Sequence, residues 1–266
     1  NWFKFEDENE IVKDALNKNG NLLFTLLHKN ISNGSLKHLS ISGGEPLITE
    51  AHFKLLTFLI DNKLTNITLG YSTNLSKLDY KGIYLLSLWE KFDSVNLEVS
   101  IDGWGDSVEY SRTGFKTDIF LKNFKKTIKY VHTINCVVNI YSIWTLTKIE
   151  KFKKFGINIV YSPCYLPLHT NPQLLMEEDK RDLDEMYKDY PDLVNLFDNF
   201  INKDFNFNPS DKELDILEKQ EHLSIEEMRY RMVDYNLLLD SYRGTDFFTT
   251  FPVYEKYQNT NTHSNW

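Results

Sequence analysis

The stretch "LKHLSISGGEPLITEAHFKLLTFLIDN", Leu36 to Asn62, passes from one periodicity to another across a single turn. Its first part alternates apolar and polar residues in the manner of a half-buried strand. Its last part, Thr49 to Asn62, places Leu55, Leu56, Leu59 and Ile60 on one helical face. A strand followed by a helix, repeated along a chain, is the pattern of an α/β fold with a parallel sheet. The turn between them is unusual. An ordinary strand-to-helix connection needs one flexible residue and a helix cap, whereas here Gly43 and Gly44 precede a lone carboxylate, Glu45, and then Pro46. Two residues without side chains let backbone N–H and C=O groups approach a ligand. Glu45 can then pair with an ammonium group, and Pro46 fixes the exit of the chain. The plain alternative is a βα turn with Glu45 as a favourable early-helix carboxylate.

Outward from this unit the pattern repeats. The further strands are "NITLGYS", "VNLEVSID", "NCVVNIY" and "INIVYS". Between them "DIFLKNFKKTIKYV" aligns Phe120, Phe124, Ile128 and Val131, and "TLTKIEKFKKFG" ends on Gly156 as a C-terminal glycine. Upstream, only helical stretches are read, around Ile11 to Leu16 and Leu22 to His28, so the sheet starts late. Past Pro163 the chain turns helical: Ser210 with Glu213 and Ser224 with Glu227 have capping-box spacing, and the last helix closes on Gly244. In that helix Met228, Met232, Tyr235, Leu239 and Tyr242 form a stripe expected to pack on the core. The expected division is a barrel-like region, 1–165, and a helical extension, 166–266.

Composition bounds the function. The chain has 266 residues, 41% hydrophobic and 26% charged, which is globular. A net charge of -8 argues against a general nucleic-acid surface. The lysines at 122, 125, 126 and 129, and at 148, 151, 153 and 154, are read as solvated helix faces. No apolar run reaches the roughly 20 residues that span a bilayer. Two cysteines, Cys136 and Cys164, argue against a disulfide scaffold and fit a reducing cytoplasm; both are read as inert thiols.

Ligands of parallel α/β folds lie at the carboxyl ends of strands, so the residues there carry the chemistry. After Gly43 to Pro46 come Thr73 and Asn74 behind the second strand, Ser100, Asp102 and Gly103 behind the third, Asn139 on the fourth, and Tyr161 and Ser162 on the fifth. Arg112, in "EYSRTG", is either a surface cation or a carboxylate clamp. Taken one at a time, Asn74 and Asp102-Gly103 also read as ordinary turn residues.

With these strand ends in order, the chain resembles the radical S-adenosylmethionine (SAM) superfamily, in its twitch-domain branch related to the SPASM enzymes. The likeness rests on GGEP at Gly43 to Pro46, on Thr73-Asn74, on "SIDG" at Ser100 to Gly103, on the turn Tyr110 to Gly114, and on the tail "YRGTDFFTTFP". The resemblance implies a partial (β/α)6 TIM-like barrel, its first strand missing, with a C-terminal helical extension. It implies SAM across the strand tops: Gly43, Gly44 and Glu45 at the amino group, Ser100 and Asp102 near the ribose or carboxylate, and Arg112 as a carboxylate partner. Asn74 and Asn139 would line the same pocket, and the backbone at Tyr161 and Ser162 would lie near adenine. It also implies a peptide or protein substrate.

The departure lies in the cysteines. Family members hold a [4Fe-4S] cluster on C-x3-C-x2-C, leaving one iron open for SAM so that its one-electron cleavage yields a 5′-deoxyadenosyl radical; this sequence has no such motif. The expectation is therefore a piece of a longer enzyme whose cluster loop lies upstream, this part being inactive alone. The alternative is a cluster-less module that binds SAM or a peptide. A hydrolase pairing Glu45 with Asp102 leaves the glycines and Arg112 unexplained. No residue is singled out as catalytic, and none as a metal ligand.

Overall fold

The structure, a computed structural model, describes residues 22–203 and 224–260. The helix expected at Ile11 to Leu16 and the capping box at Ser210 and Glu213 lie outside the described residues. The fold is α/β, its principal strands pair in parallel, and helices follow them, as expected of a partial barrel with a helical extension. Two compact units are present, one of residues up to Val99 with Asn123–Val131, the other of Ser100–Lys122 with residues from His132 onward.

In the first unit, residues 22–32 are helical. They are followed by β1 (His38–Ile41), α1 (Glu50–Asp61), β2 (Thr68–Thr73), a two-stranded hairpin, α2 (Leu85–Trp89) and β3 (Ser94–Ser100). Ser40 lies opposite Gly70, and Ser72 opposite Glu98, in parallel registers. Leu69, Tyr71, Val95, Leu97 and Val99 are buried, while Thr68, Gly70, Ser72, Asn96 and Glu98, on the other face, are at least partly exposed. Parallel strands covered on both faces carry near-continuous apolar runs. Alternation here means that only one face is covered. His52 of α1 and Trp89 of α2 both pack on Tyr71, with ring centroids 5.4 and 5.2 Å away. On the polar face, a Cβ at Gly70 would meet the Nε2 of His38 at 2.9 Å, so the missing side chain makes room for that ring. Among the described residues β1 pairs with β2 alone, which leaves it an edge strand.

The second unit contains α3 (Asp106–Ser111), most of β4 (Val131–Val138), α5 (Leu146–Glu150), β5 (Asn158–Pro163), α6 (Glu177–Tyr187) and α7 (Pro191–Leu196), which runs on as a π-helical turn, Phe197–Ile201. Between α3 and β4 in the chain runs α4 (Thr117–Thr127), and the long C-terminal helix is Ile225–Arg243. Gly156 follows α5 and its 3-10 turn in the left-handed conformation, φ 76°, as read from the sequence. In β4 and β5, Cys136 lies opposite Tyr161. The core joins Cys136, Val138, Ile140, Tyr187, Met232, Phe247 and Tyr254. The extension is tied in by polar bonds as well: the Tyr254 hydroxyl donates to the Ile140 carbonyl at 2.7 Å, and buried Asp179 accepts from Lys256 at 2.5 Å and Tyr257 at 2.6 Å.

Two expectations are corrected. The strand read as "NCVVNIY" ends at Val138, because the Asn139 side chain accepts from the N–H groups of Tyr141 and Ser142 and so turns the chain. The stripe of the C-terminal helix holds only at Met228 and Met232. Tyr235 is 40% and Tyr242 81% exposed, and the inward position is taken instead by Asn236, fully buried. Its Oδ1 accepts from the hydroxyls of Tyr141 and Tyr110, at 2.9 and 3.2 Å, and its Nδ2 donates to Met232 O at 2.7 Å. The capping box of Ser224 and Glu227 and the left-handed Gly244, φ 66°, are both formed.

Candidate functional site

In the first unit β1 runs out at Ile41, and Gly43 and Gly44 follow at φ 100° and 49°, conformations that L side chains rarely adopt. A Cβ at either position would meet nothing within 4 Å among the described residues, which leave the backbone here open. Glu45 caps the short 3-10 turn Pro46–Ile48, its Oε1 accepting from the Leu47 N–H at 3.2 Å. Pro46 stands at the first position of that turn, where its missing N–H costs nothing. The same carboxylate reaches the end of β2. Oε1 accepts from the Thr73 hydroxyl at 2.7 Å and Oε2 from the Asn74 N–H at 2.8 Å. Thr73 is buried, and its Oγ1 accepts in turn from the Leu75 N–H. Asn74 accepts from the Ser76 N–H through Oδ1; the left-handed residue of this turn is Leu75, φ 54°, and not Asn74. The buried Asn123 side chain fixes the Leu75 carbonyl at 2.7 Å.

The arrangement therefore gathers Gly43, Gly44, Glu45, Pro46, Thr73 and Asn74 in one place. Three hydrogen bonds hold Glu45, and an ionised carboxylate has about four acceptor positions. The turn and ligand readings of Glu45 are thus compatible: the carboxylate caps, clamps two strand ends, and retains one acceptor position beside an open backbone.

In the second unit, Asp102 is 8% exposed and engaged on both oxygens. Oδ1 accepts from the Val137 N–H at 2.9 Å, continuing by side chain the contact that the Ile101 N–H makes to Asn135 O at 3.0 Å. Oδ2 accepts from Nε and Nη2 of Arg112, at 2.7 and 2.6 Å. Arg112 is thereby held against Asp102 with Nη1 left over. Gly103 has no substitute: at φ 136°, a Cβ would lie 3.0 Å from Thr145 Oγ1 and 3.3 Å from the Ser142 backbone. Ser100 closes β3, half-buried. Asn139 caps its own turn, as described above. Ser162 is exposed, and Tyr161 points to the opposite face of β5, its hydroxyl donating to Glu150 at 2.7 Å. Burial and that carboxylate raise the Tyr161 pKa. Glu150, a buried carboxyl, had no sequence signal beyond its place in a helical pattern, and the same is true of Asn123.

The cysteines do not suit an iron–sulfur cluster. Burial pushes the Cys136 thiol well above its ordinary pKa and raises that of Cys164, whose Sγ lies 3.2 Å from the Leu166 carbonyl. Cluster ligands are thiolates, and an open-iron [4Fe-4S] site takes three, against two cysteines in the sequence. Among the described residues no group of three or more His, Cys, Asp or Glu side chains is placed to hold a metal ion. No described helix is long and apolar enough to cross a membrane.

No protein-family model matches the chain, and no curated protein matches it. Among solved structures it is similar to the crystal structure of Streptococcus suis SuiB bound to S-adenosylmethionine, at a TM-score of 0.39 and 18% sequence identity. That match covers 66% of this chain and 40% of the SuiB chain, less than half of the relative's length.

Proposed function

We propose that this chain is the SAM-binding part of a protein of the radical SAM type, with the ligand held at the carboxyl ends of the strands. The observation that carries the reading is the Glu45 carboxylate, clamped by Thr73 and Asn74 directly behind two glycines whose missing side chains leave open space. This donor set suits a primary ammonium group, which needs acceptors only. Gly43 and Gly44 would offer backbone carbonyls and Glu45 its remaining acceptor position. When bound, SAM supplies an activated sulfonium and, in a cluster enzyme, the source of a radical. The two cysteines here do not support that second step, so none is assigned to this chain.

The second unit's residues enter by resemblance. Asp102 is a positioning residue for Arg112, and Arg112 offers Nη1 to a carboxylate. Ser100, Asn139 and the backbone at Tyr161 and Ser162 stand as further contacts. A peptide or protein substrate for a longer enzyme, and a cytoplasmic setting, belong to the same reading.

Calorimetric titration tests it, with SAM compared against an analogue lacking the α-ammonium, on the unaltered chain and on Glu45→Gln. We expect the chain to favour SAM by at least about tenfold, roughly 1.4 kcal/mol, and Glu45→Gln to lose that preference. Circular dichroism reports whether the variant is folded. Equal affinity of the unaltered chain for both compounds, or no saturation by SAM, ends the proposal.

A further inference from the structure

On the second unit, β5 and the turn after α7 enclose an open groove of about 330 Å³. It falls within the usual range for small-molecule sites. Tyr161, Tyr165 and Phe200 supply its rings, and Asp192, Asn195 and Asn199 its polar groups. The π-helical turn Phe197–Ile201 brings Asn199 and Phe200 to the groove, and such turns recur at functional sites. None of these groups except Tyr161 belongs to the strand-end residues described above.

The charges decide what fits. Lys153 Nζ lies between two carboxylates, 2.7 Å from Glu150 and 2.5 Å from Asp192. One ammonium between two carboxylates leaves one negative charge in excess. Glu150 is buried and takes the Tyr161 hydroxyl, while Asp192, its side chain 57% exposed on the groove wall, meets Lys153 through Oδ2 and leaves Oδ1 as an acceptor. Asn199 Nδ2 is spent on Asn195 Oδ1 at 2.7 Å, which leaves Asn199 Oδ1 as an acceptor. Tyr165, half-exposed, meets Phe200 edge-to-face at 5.0 Å. The groove therefore offers acceptors, aromatic faces and one carboxylate of a trio with a net negative charge, and among the described lining residues none is basic, Lys153 lying behind Asp192.

We infer that this groove binds an alkyl cation, a guanidinium or primary ammonium carried on an apolar stem. The stem packs on Ile159 and the rings, and the cationic head meets Asp192 with cation–π support from Tyr165. Two sources share that chemistry, a free alkylamine and a basic side chain of a peptide.

The test is calorimetric titration of the full chain with agmatine, with n-butylurea, which keeps the four-carbon stem and carries neither of agmatine's two charges, and with the blocked tripeptide Gly-Arg-Gly. Agmatine should saturate with a Kd below about 1 mM and bind at least about tenfold more tightly than n-butylurea. Asp192→Asn should weaken agmatine about fivefold and leave n-butylurea unchanged; Tyr165→Ala should weaken both. Both residues are exposed enough for the variants to fold. Tighter binding of the tripeptide than of agmatine assigns the groove to a peptide side chain, and the reverse order to a free amine. Failure of both cations to saturate, equal affinity for n-butylurea, or indifference to Asp192→Asn overturns the inference. Glu45→Gln, which bears on SAM alone, should leave agmatine binding as it was, so the two proposals fail separately.

Discussion

His52 is 4% exposed on α1, with Nε2 3.0 Å from the Tyr71 hydroxyl and Nδ1 without a hydrogen-bond partner among the described residues. Burial lowers its pKa from 6.5 to about 4. The folded state thus resists a proton that the unfolded chain accepts below pH 6.5. Stability from this group is complete above that value and is lost as pH falls towards 4. Between pH 7 and pH 5 the loss amounts to about 2 kcal/mol at most. His52→Phe should flatten this dependence, read as the shift of the urea midpoint between the two pH values. Part of the slope should survive in the variant, because burial brings His169, in the second unit, to about 4 as well. An identical slope in the unaltered chain and the variant would refute the account. The sequence carried no sign of this group's behaviour: His52 stands beside the apolar positions of α1, and only packing against Tyr71 withdraws it from water. Glu45 was more readable, since a double glycine before a carboxylate is rare enough to ask for a cause. Its clamp on Thr73 and Asn74 needed the strands to be brought together.

At the scale of elements, the helix Ile225–Arg243 shows where reading by pattern succeeds and where it stops. Its ends follow local chemistry, Ser224 and Glu227 capping one and Gly244 closing the other, and both were legible because each needs only neighbouring residues. Its buried face was misread past Met232, because a hydrophobic pattern ignores polar residues that find partners inside. Asn236 is such a residue, joining the helix to Tyr110 and Tyr141. Asn236→Leu adds apolar surface worth about 1–2 kcal/mol but strands the Tyr141 hydroxyl and weakens the bonding of Tyr110, at about 1–3 kcal/mol for each unpaired group. The polar loss should win. Chemical denaturation should show the variant about 1–3 kcal/mol less stable, and a gain in stability would mean that the tyrosines find other partners. The strands teach the same lesson from the other side. In "TLGYST" and "SVNLEVS" the apolar residues are buried and the polar face between them is at least partly exposed, whereas a parallel sheet covered on both faces carries near-continuous apolar runs.

Across the whole molecule, the α/β class and the parallel pairing followed from periodicity alone, since both depend on pattern repeated over many residues. The extent of the site did not, because convergence of strand ends is a property of the folded chain. What the sequence does settle is the thiol inventory of these 266 residues. Two cysteines cannot supply the three thiolates of an open-iron [4Fe-4S] site, and the packing makes even these poor donors. Cys136 is fully buried on β4, while Cys164 is partly exposed past β5. A disulfide-exchange reagent should therefore titrate no more than Cys164 quickly in the native chain, and both thiols once urea unfolds it. Anaerobic treatment with iron and sulfide, followed by desalting, should leave the protein colourless and its iron far below one cluster per chain. Stoichiometric iron with the brown absorption of a cluster would show that ligands other than thiolates complete a site in this chain. SAM affinity, resting on Glu45 and the glycines before it, should be the same before and after that treatment, because the groups proposed to hold the ammonium do not depend on iron.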